Sequence, residues 1–221
     1  MRSSGRAESA LLATSLFGST VAAMPFADEI RPVTVIPYQD RWRVEFLALA
    51  NTLWRLELAE AGAIDHIGST SVPGLAAKAV IDIQVRVPAI EDGAMTNAFA
   101  DLGYRRRPEA WNNVEATRGG SIPKLMFAPP VGGRPCNVHV RTDGSTGARD
   151  ALLFRDFLQQ DAAMREAWST FKQRLAAAAP TDLLAYGQIK QPAWSVLMRG
   201  ADAWARDVSW EPEPLIAWRR P

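Results

Sequence analysis

Apolar and polar positions follow two distinct rhythms along this chain. Trp42, Phe46, Leu49, Leu53 and Leu56 recur at helical spacing and draw one apolar stripe, which predicts a core helix capped by Asp40 and ending near Gly62. Ile81, Ile83, Val85 and Val87 instead alternate with Asp82, Gln84 and Arg86. That is the period of a strand with one apolar and one polar face, and residues 80–87 are the clearest strand in the sequence. The alternation returns at 137–141, where Val138 and Val140 face inward and Asn137, His139 and Arg141 share the other side.

Weaker signals fill the intervals. The β-branched run 31–38, bounded by Pro32 and Pro37, predicts a short edge strand or extended arm. Residues 63–67 read as a short strand and 68–78 as a loop of small residues. Met95, Phe99 and Leu102 before Gly103 give a helix with a C-terminal glycine. The stretch 104–135, rich in Arg, Gly and Pro, predicts loops and edge strands, with one short strand at 125–128. From 147 to 207 the pattern is helical: Leu153 and Phe157, then Met164, Trp168, Phe171 and Leu175, form apolar stripes. Asp161 is placed as a second cap, and Pro192 suits a first helical turn.

These elements predict an α/β protein of the α+β type, a mixed β-sheet flanked by helices with a C-terminal helical segment. The organisation expected is a disordered extension over 1–30, an α/β core over 31–145, helices packed on it over 146–207, and a tail over 208–221. Within the extension, residues 1–23 weakly resemble a presequence, although Ser, Thr and Gly interrupt the apolar stretch.

Composition narrows the chemistry. Of 221 residues, 48% are apolar and 22% charged, ordinary for a folded domain. With 25 Lys and Arg against 24 Asp and Glu, no general attraction to nucleic acid or anionic membrane is expected, so a bound anion must be held locally. Cys136 is the single cysteine and His66 and His139 the two histidines, which excludes an internal disulfide and Cys- or His-rich metal sites. A metal here would be oxygen-ligated. A reducing, cytoplasmic setting is expected.

The informative segment is His66-Ile67-Gly68-Ser69-Thr70-Ser71-Val72-Pro73-Gly74-Leu75-Ala76-Ala77-Lys78, followed by the strand carrying Asp82. A Gly-Ser turn after a strand lets backbone N–H groups and hydroxyls approach a phosphate. Lys78 adds positive charge, and Asp82 on a polar strand face suits Mg²⁺ bridging phosphate oxygens. Two commoner motifs are excluded: Gly74 is followed by Leu75 rather than Lys, so there is no Walker loop. Neither Ser69 nor Ser71 has glycines two residues to each side, so there is no nucleophile elbow.

The run HIGSTSVPGLAAKAVIDIQV resembles the GrpB family of nucleotidyltransferase-fold proteins, a group that also occurs fused to dephospho-CoA kinases. Asn137-Val138-His139-Val140 with Gly144-Ser145, the helix Leu153-Phe154-Arg155-Asp156-Phe157-Leu158, and Tyr186 with Lys190 extend the likeness over about 33–198. The resemblance implies a nucleotidyltransferase-like sheet with metal and nucleoside triphosphate near Asp82. It also exposes a departure. Nucleotidyltransferases usually carry a second acid two residues on, on the same strand face, and here that position is Gln84, a neutral ligand at best.

Two functions are therefore expected. One is Mg²⁺-dependent transfer of a nucleotidyl group from a nucleoside triphosphate to a small-molecule acceptor. Gly68, Ser69, Ser71 and Lys78 would cradle phosphate, Asp82 and Gln84 would hold metal, His139 would assist the acceptor hydroxyl, and Arg141, Arg155 and Lys190 would reach the cleft. The other is a binding module for a nucleotide or a coenzyme A-like phosphate ligand without turnover. The blander reading of each residue stands beside these: His66 bracing the turn, His139 a bonded sheet histidine, Arg141 a structural partner, and Arg155 and Lys190 solvated helix charges.

Overall fold

The computed structural model describes residues 26–56, 62–117, 120–178 and 183–215; of the extension expected over 1–30, residues 1–25 lie outside them, and 27–29 form a short 3-10 turn. Among the described residues the strands are β1 (Ala63–Ile67), β2 (Ile81–Val87), β3 (Arg105–Arg106), β4 (Val114–Thr117), β5 (Gly120–Ala128) and β6 (Cys136–Thr142). The α-helices are α1 (Arg41–Leu53), α2 (Asp92–Asp101), α3 (Thr146–Gln160), α4 (Ala162–Ala178) and α5 (Leu183–Asp207). The sheet runs β1-β2-β6-β5-β3, with β4 paired to β5. Only β2 and β6 are parallel; the other pairs are antiparallel. The mixed sheet flanked by helices is the architecture the sequence predicts.

One face of the sheet is dry. Ile81, Ile83, Val85 and Val87 of β2 join Val138 and Val140 of β6 and Leu125 and Phe127 of β5 beneath Trp42, Phe46, Ala50 and Leu53 of α1. Phe99 of α2 stacks on Phe127 with ring centroids 4.0 Å apart. The opposite face is polar, as the alternation predicts, but its middle is not wet. Gln84 is 0% and Arg86 3% exposed, because helices and the C-terminal segment cover them. Arg86 therefore bonds Asp65 through two nitrogens, at 2.7 and 3.2 Å, and Asp143 at 2.9 Å. A buried guanidinium is tolerated only with its donors matched in this way.

A second apolar cluster fastens the 68–78 loop. Val72 and Leu75 insert among Leu153, Phe157 and Leu158 of α3, Trp168 of α4 and Leu197 of α5. The 31–38 segment is an extended arm, joined to the same loop by reciprocal Ile36–Ala77 backbone bonds of 2.9 Å. The small-residue loop is thus clamped from both sides.

Several local expectations are corrected. Asp40 already has helical backbone angles, φ −57° and ψ −29°, and its side chain makes no capping bond; capping needs an extended backbone at that position. The helix tightens into a 3-10 turn at Trp54–Leu56, and its expected continuation falls on 57–61, outside the described residues. Residues 104–135 hold more strand than expected, because pairing with β6 and β4 overrides the Gly and Pro content of β5. Pro192 lies inside α5 rather than in a first turn. The described part of the tail is docked: Trp210 Nε1 donates to Asp156 at 3.0 Å, and the Glu213 carbonyl accepts from Arg86 at 3.0 Å. Asp161 does cap α4, accepting from the Met164 N–H at 2.9 Å.

Candidate functional site

The turn between β1 and β2 begins at Gly68, with φ +69°. A Cβ there would stand 2.5 Å from Asp82 Oδ2, so glycine is required both by the left-handed backbone and by the nearness of the carboxylate. The turn is braced from within. Ser71 Oγ donates to the Gly68 carbonyl at 2.6 Å, and His66 Nε2 lies 3.0 Å from Thr70 Oγ1. His66 also stacks on Phe46 at 4.6 Å. Burial, helped by the charge of Arg155, pushes its pKa down to about 4, so the ring is neutral.

Ser69 and Asp82 open onto a small polar cavity of about 50 Å³, lined also by Lys78, Lys172, Tyr186 and Lys190. A cavity of this volume admits a small polar group, and the body of any larger ligand would lie outside it. Three lysines converge here from three elements: the loop, α4 and α5. Lys172 is 2% exposed; its Nζ donates to Ser69 Oγ at 2.8 Å and to the Ala76 carbonyl. Lys78 Nζ sits 5.5 Å from the centre of the Tyr186 ring, a cation–π contact.

The electrostatics are those of crowded cations with little counter-charge. Burial first, then the charges of Lys190 and Lys78, bring the pKa of Lys172 down to about 6 against the opposing pull of Asp82. Burial and Lys190 bring Lys78 down to about 8, and Lys190 is lowered by burial. Burial also raises the Tyr186 phenol to about 12.

Asp82 is oriented from its other side. Its Oδ1 accepts from Asn137 Nδ2 at 2.9 Å, and Asn137 Oδ1 accepts from Arg107 Nη2 at 3.3 Å. Arg107 in turn pairs with Glu29 at 3.1 Å. A guanidinium only donates, so it fixes the Asn137 amide with its N–H side toward Asp82. Among the described residues no ion pair involves Asp82.

Of the residues singled out from the sequence, Ser69, Lys78, Asp82 and Lys190 meet at this cavity, with Gly68 against Asp82. Ser71 is engaged within the turn. Gln84, His139, Arg141 and Arg155 are not brought to the cavity. Gln84 Nε2 donates to Asp65 and to the Ala148 carbonyl, and its Oε1 accepts from Arg141 Nη1 at 2.8 Å. Fully buried and away from the cavity lining, its carbonyl is withdrawn from metal ligation there. Arg141 is held by Glu115 at 2.9 Å and Arg155 by Asp156 at 2.6 Å. His139 is kept neutral by burial and by Arg141, Lys124 and Arg107, and its Nδ1 is buried without a partner.

Lys172 and Asn137 complete the site without having been singled out for it. Lys172 stands four residues after Trp168 and three before Leu175, within the apolar stripe of α4, and a lysine in that register is the signal. A larger trough of about 680 Å³ runs along α4 past Glu166, Phe171 and Arg174, without a converging polar set.

Magnesium, which the resemblance implies, finds a poor donor set. Among the described residues Asp82 is the one carboxylate lining the cavity, Asn137 turns N–H rather than oxygen toward it, and Gln84 is engaged elsewhere. No group of three or more His, Cys, Asp or Glu among the described residues is arranged to hold a metal ion. Nor is any described helix long and apolar enough to cross a membrane.

Residues 32–199 match the model of the GrpB protein family. The chain is 32% identical over 198 residues to a Mycolicibacterium paratuberculosis protein named dephospho-CoA kinase, covering 82% of this chain and 49% of that one. It thus spans about half the length of that relative. It is 37% identical over 163 residues to the UPF0157 protein PA4798 of Pseudomonas aeruginosa, covering 72% and 63%. The crystal structure of conserved protein GrpB from Enterococcus faecalis aligns with TM-score 0.65 and 28% identity over 77% of this chain and 99% of that one. Structures of the poly(U) polymerase Cid1 align more loosely, one with TM-score 0.44 and 14% identity over 64% of this chain.

Proposed function

We propose that this chain, which belongs to the GrpB family, binds the terminal phosphate of a nucleoside triphosphate or a coenzyme A-like ligand in the cavity beside the 68–78 loop. The observation that carries this is the convergence of Lys78, Lys172 and Lys190 with Ser69 on one small polar cavity. Burying lysines opposite one carboxylate disfavours the empty protein, and a bound dianion offsets that cost. The nucleoside, or the pantetheine arm of a coenzyme A, would lie outside the cavity.

A second reading is nucleotidyl transfer to a small-molecule acceptor. Asp82 favours it, as a carboxylate without an ion pair among the described residues, set against a glycine turn. The missing second acid weighs against it, and no step is assigned to a metal.

Calorimetric titration separates these readings. ATP and coenzyme A, which each carry a terminal dianionic phosphate (the γ-phosphate and the 3′-phosphate), should bind; adenosine should not, and dephospho-CoA, lacking the 3′-phosphate, should bind more weakly than coenzyme A. Lys190→Met should weaken ATP binding about tenfold or more, the equivalent of ~1.4 kcal/mol. Equal affinity for coenzyme A and dephospho-CoA, with no effect of Lys190→Met, would refute the phosphate reading. Pyrophosphate release that disappears in Asp82→Asn while ATP binding persists would establish transfer.

A further inference from the structure

We infer that the lysine triad takes the place of a divalent cation, so that the cavity accepts its terminal phosphate as a metal-free anion. This rests on the phosphate reading above and specifies the form in which the ligand arrives.

The argument begins with what each polar atom presents. A magnesium ion bridging phosphate to protein needs oxygen ligands in near-octahedral array. Here the side chain beside Asp82 on β6 is Asn137, whose oxygen is turned to Arg107 and whose N–H meets Asp82 at 2.9 Å. The next polar residue along β2, Gln84, is fully buried away from the cavity with its oxygen turned to Arg141 at 2.8 Å. Lysine side chains supply the rest of the charge, and Lys172, neutral near pH 7 in the empty cavity, regains its proton as the anion binds. With all three protonated, they outnumber the single carboxylate that the described residues place there by two charges, which balances a phosphate dianion. A magnesium ion would add two further positive charges to a cavity already crowded with cations, and like charges within a few ångströms are strongly unfavourable in a poorly solvated site.

The lysines are also held as a metal would be. Lys172 is fixed by Ser69 at 2.8 Å and by the Ala76 carbonyl, and Lys78 is steadied over Tyr186. Tyr186 and Lys190 lie four residues apart on α5, so one helix face delivers both. Rigid donors of this kind need little reordering when the anion arrives.

The test is titration of the full chain with ATP in excess EDTA and again in excess MgCl₂. The expected result is a dissociation constant in EDTA no larger than in magnesium, and smaller by severalfold where magnesium competes with the lysines for the phosphates. Tightening by magnesium of tenfold or more overturns this inference and leaves the phosphate reading intact. Absence of binding in both media overturns the phosphate reading, and this inference with it. Asp82→Asn supplies an independent check, because an asparagine can still accept from Asn137. In EDTA and in MgCl₂ alike it should bind ATP at least as tightly as the unaltered chain, whereas a tenfold loss confined to magnesium would mean that the carboxylate works through a metal.

Discussion

Replacing Lys172 by methionine should make the protein more stable and less able to bind phosphate. The folded protein releases the Lys172 proton at about 6, against an ordinary lysine value of 10.5. An unfolded lysine therefore holds more protons throughout that interval, and stability rises with pH across it. At pH 7, stripping the proton costs roughly 1.4 kcal/mol for each pH interval between 7 and 10.5, about 5 kcal/mol in all. Methionine avoids that cost but loses the bonds to Ser69 and the Ala76 carbonyl, worth ~1 kcal/mol each, with a further ~1 for leaving a buried carbonyl unpaired. The net expectation is a gain of about 1–3 kcal/mol, or roughly 3–10 °C in Tm for a chain of this size. Differential scanning calorimetry between pH 6 and 9 reads it directly. The advantage of the variant should shrink as pH rises, since the unfolded lysine approaches its own pKa. A variant that melts lower than the parent at pH 7, or a difference independent of pH, would refute the reasoning and make Lys172 an ordinary structural residue.

Gly68→Ala should cost about 1–2 kcal/mol for the left-handed backbone alone and displace Asp82, whose Oδ2 would lie 2.5 Å from the new methyl; thermal melting and ATP titration should both register it. Binding of ATP near neutral pH should take up a proton, ~1 per site at most, as the phosphate raises the pKa values of Lys172 and Lys78. Titration in buffers of different ionisation enthalpy measures this uptake, and it should largely vanish in Lys172→Met. Asn137→Asp should set a second carboxylate beside Asp82 and tighten divalent-metal binding tenfold or more over the parent, read by Mn²⁺ paramagnetic resonance. Arg107→Met should free the Asn137 amide to turn and loosen Asp82 without touching the lysines, so ATP affinity should change less than threefold in EDTA.

Much of the fold is legible in the sequence because burial follows simple periods. The alternation in β2 and β6 marks one dry face, and the glycine-serine turn with Lys78 and Asp82 marks the site. What a period cannot reveal is what covers the other face. Gln84, read as a ligand on a polar strand side, is sealed under the helices and matched to Asp65, Ala148 and Arg141. Arg141 and Arg155 carry charges suited to phosphate but have nearer acidic partners, Glu115 and Asp156. Glu115 lies in a stretch whose Gly and Pro content obscures its strands. Lys172 was legible only in retrospect of register: a helix stripe is traced by its apolar members, and a lysine among them is passed over. Its meaning comes from α4 folding back across the 68–78 loop, a contact between residues about a hundred positions apart.

The central claim is that the lysine triad grips a phosphate directly, and a crystal structure with a nonhydrolysable ATP analogue tests it most directly. The account predicts the terminal phosphate within hydrogen-bond distance of Lys172 Nζ and Lys190 Nζ, beside Ser69, with the nucleoside outside the cavity. Phosphate density in the trough along α4, or held to the protein solely through metal ions on Asp82, would contradict it.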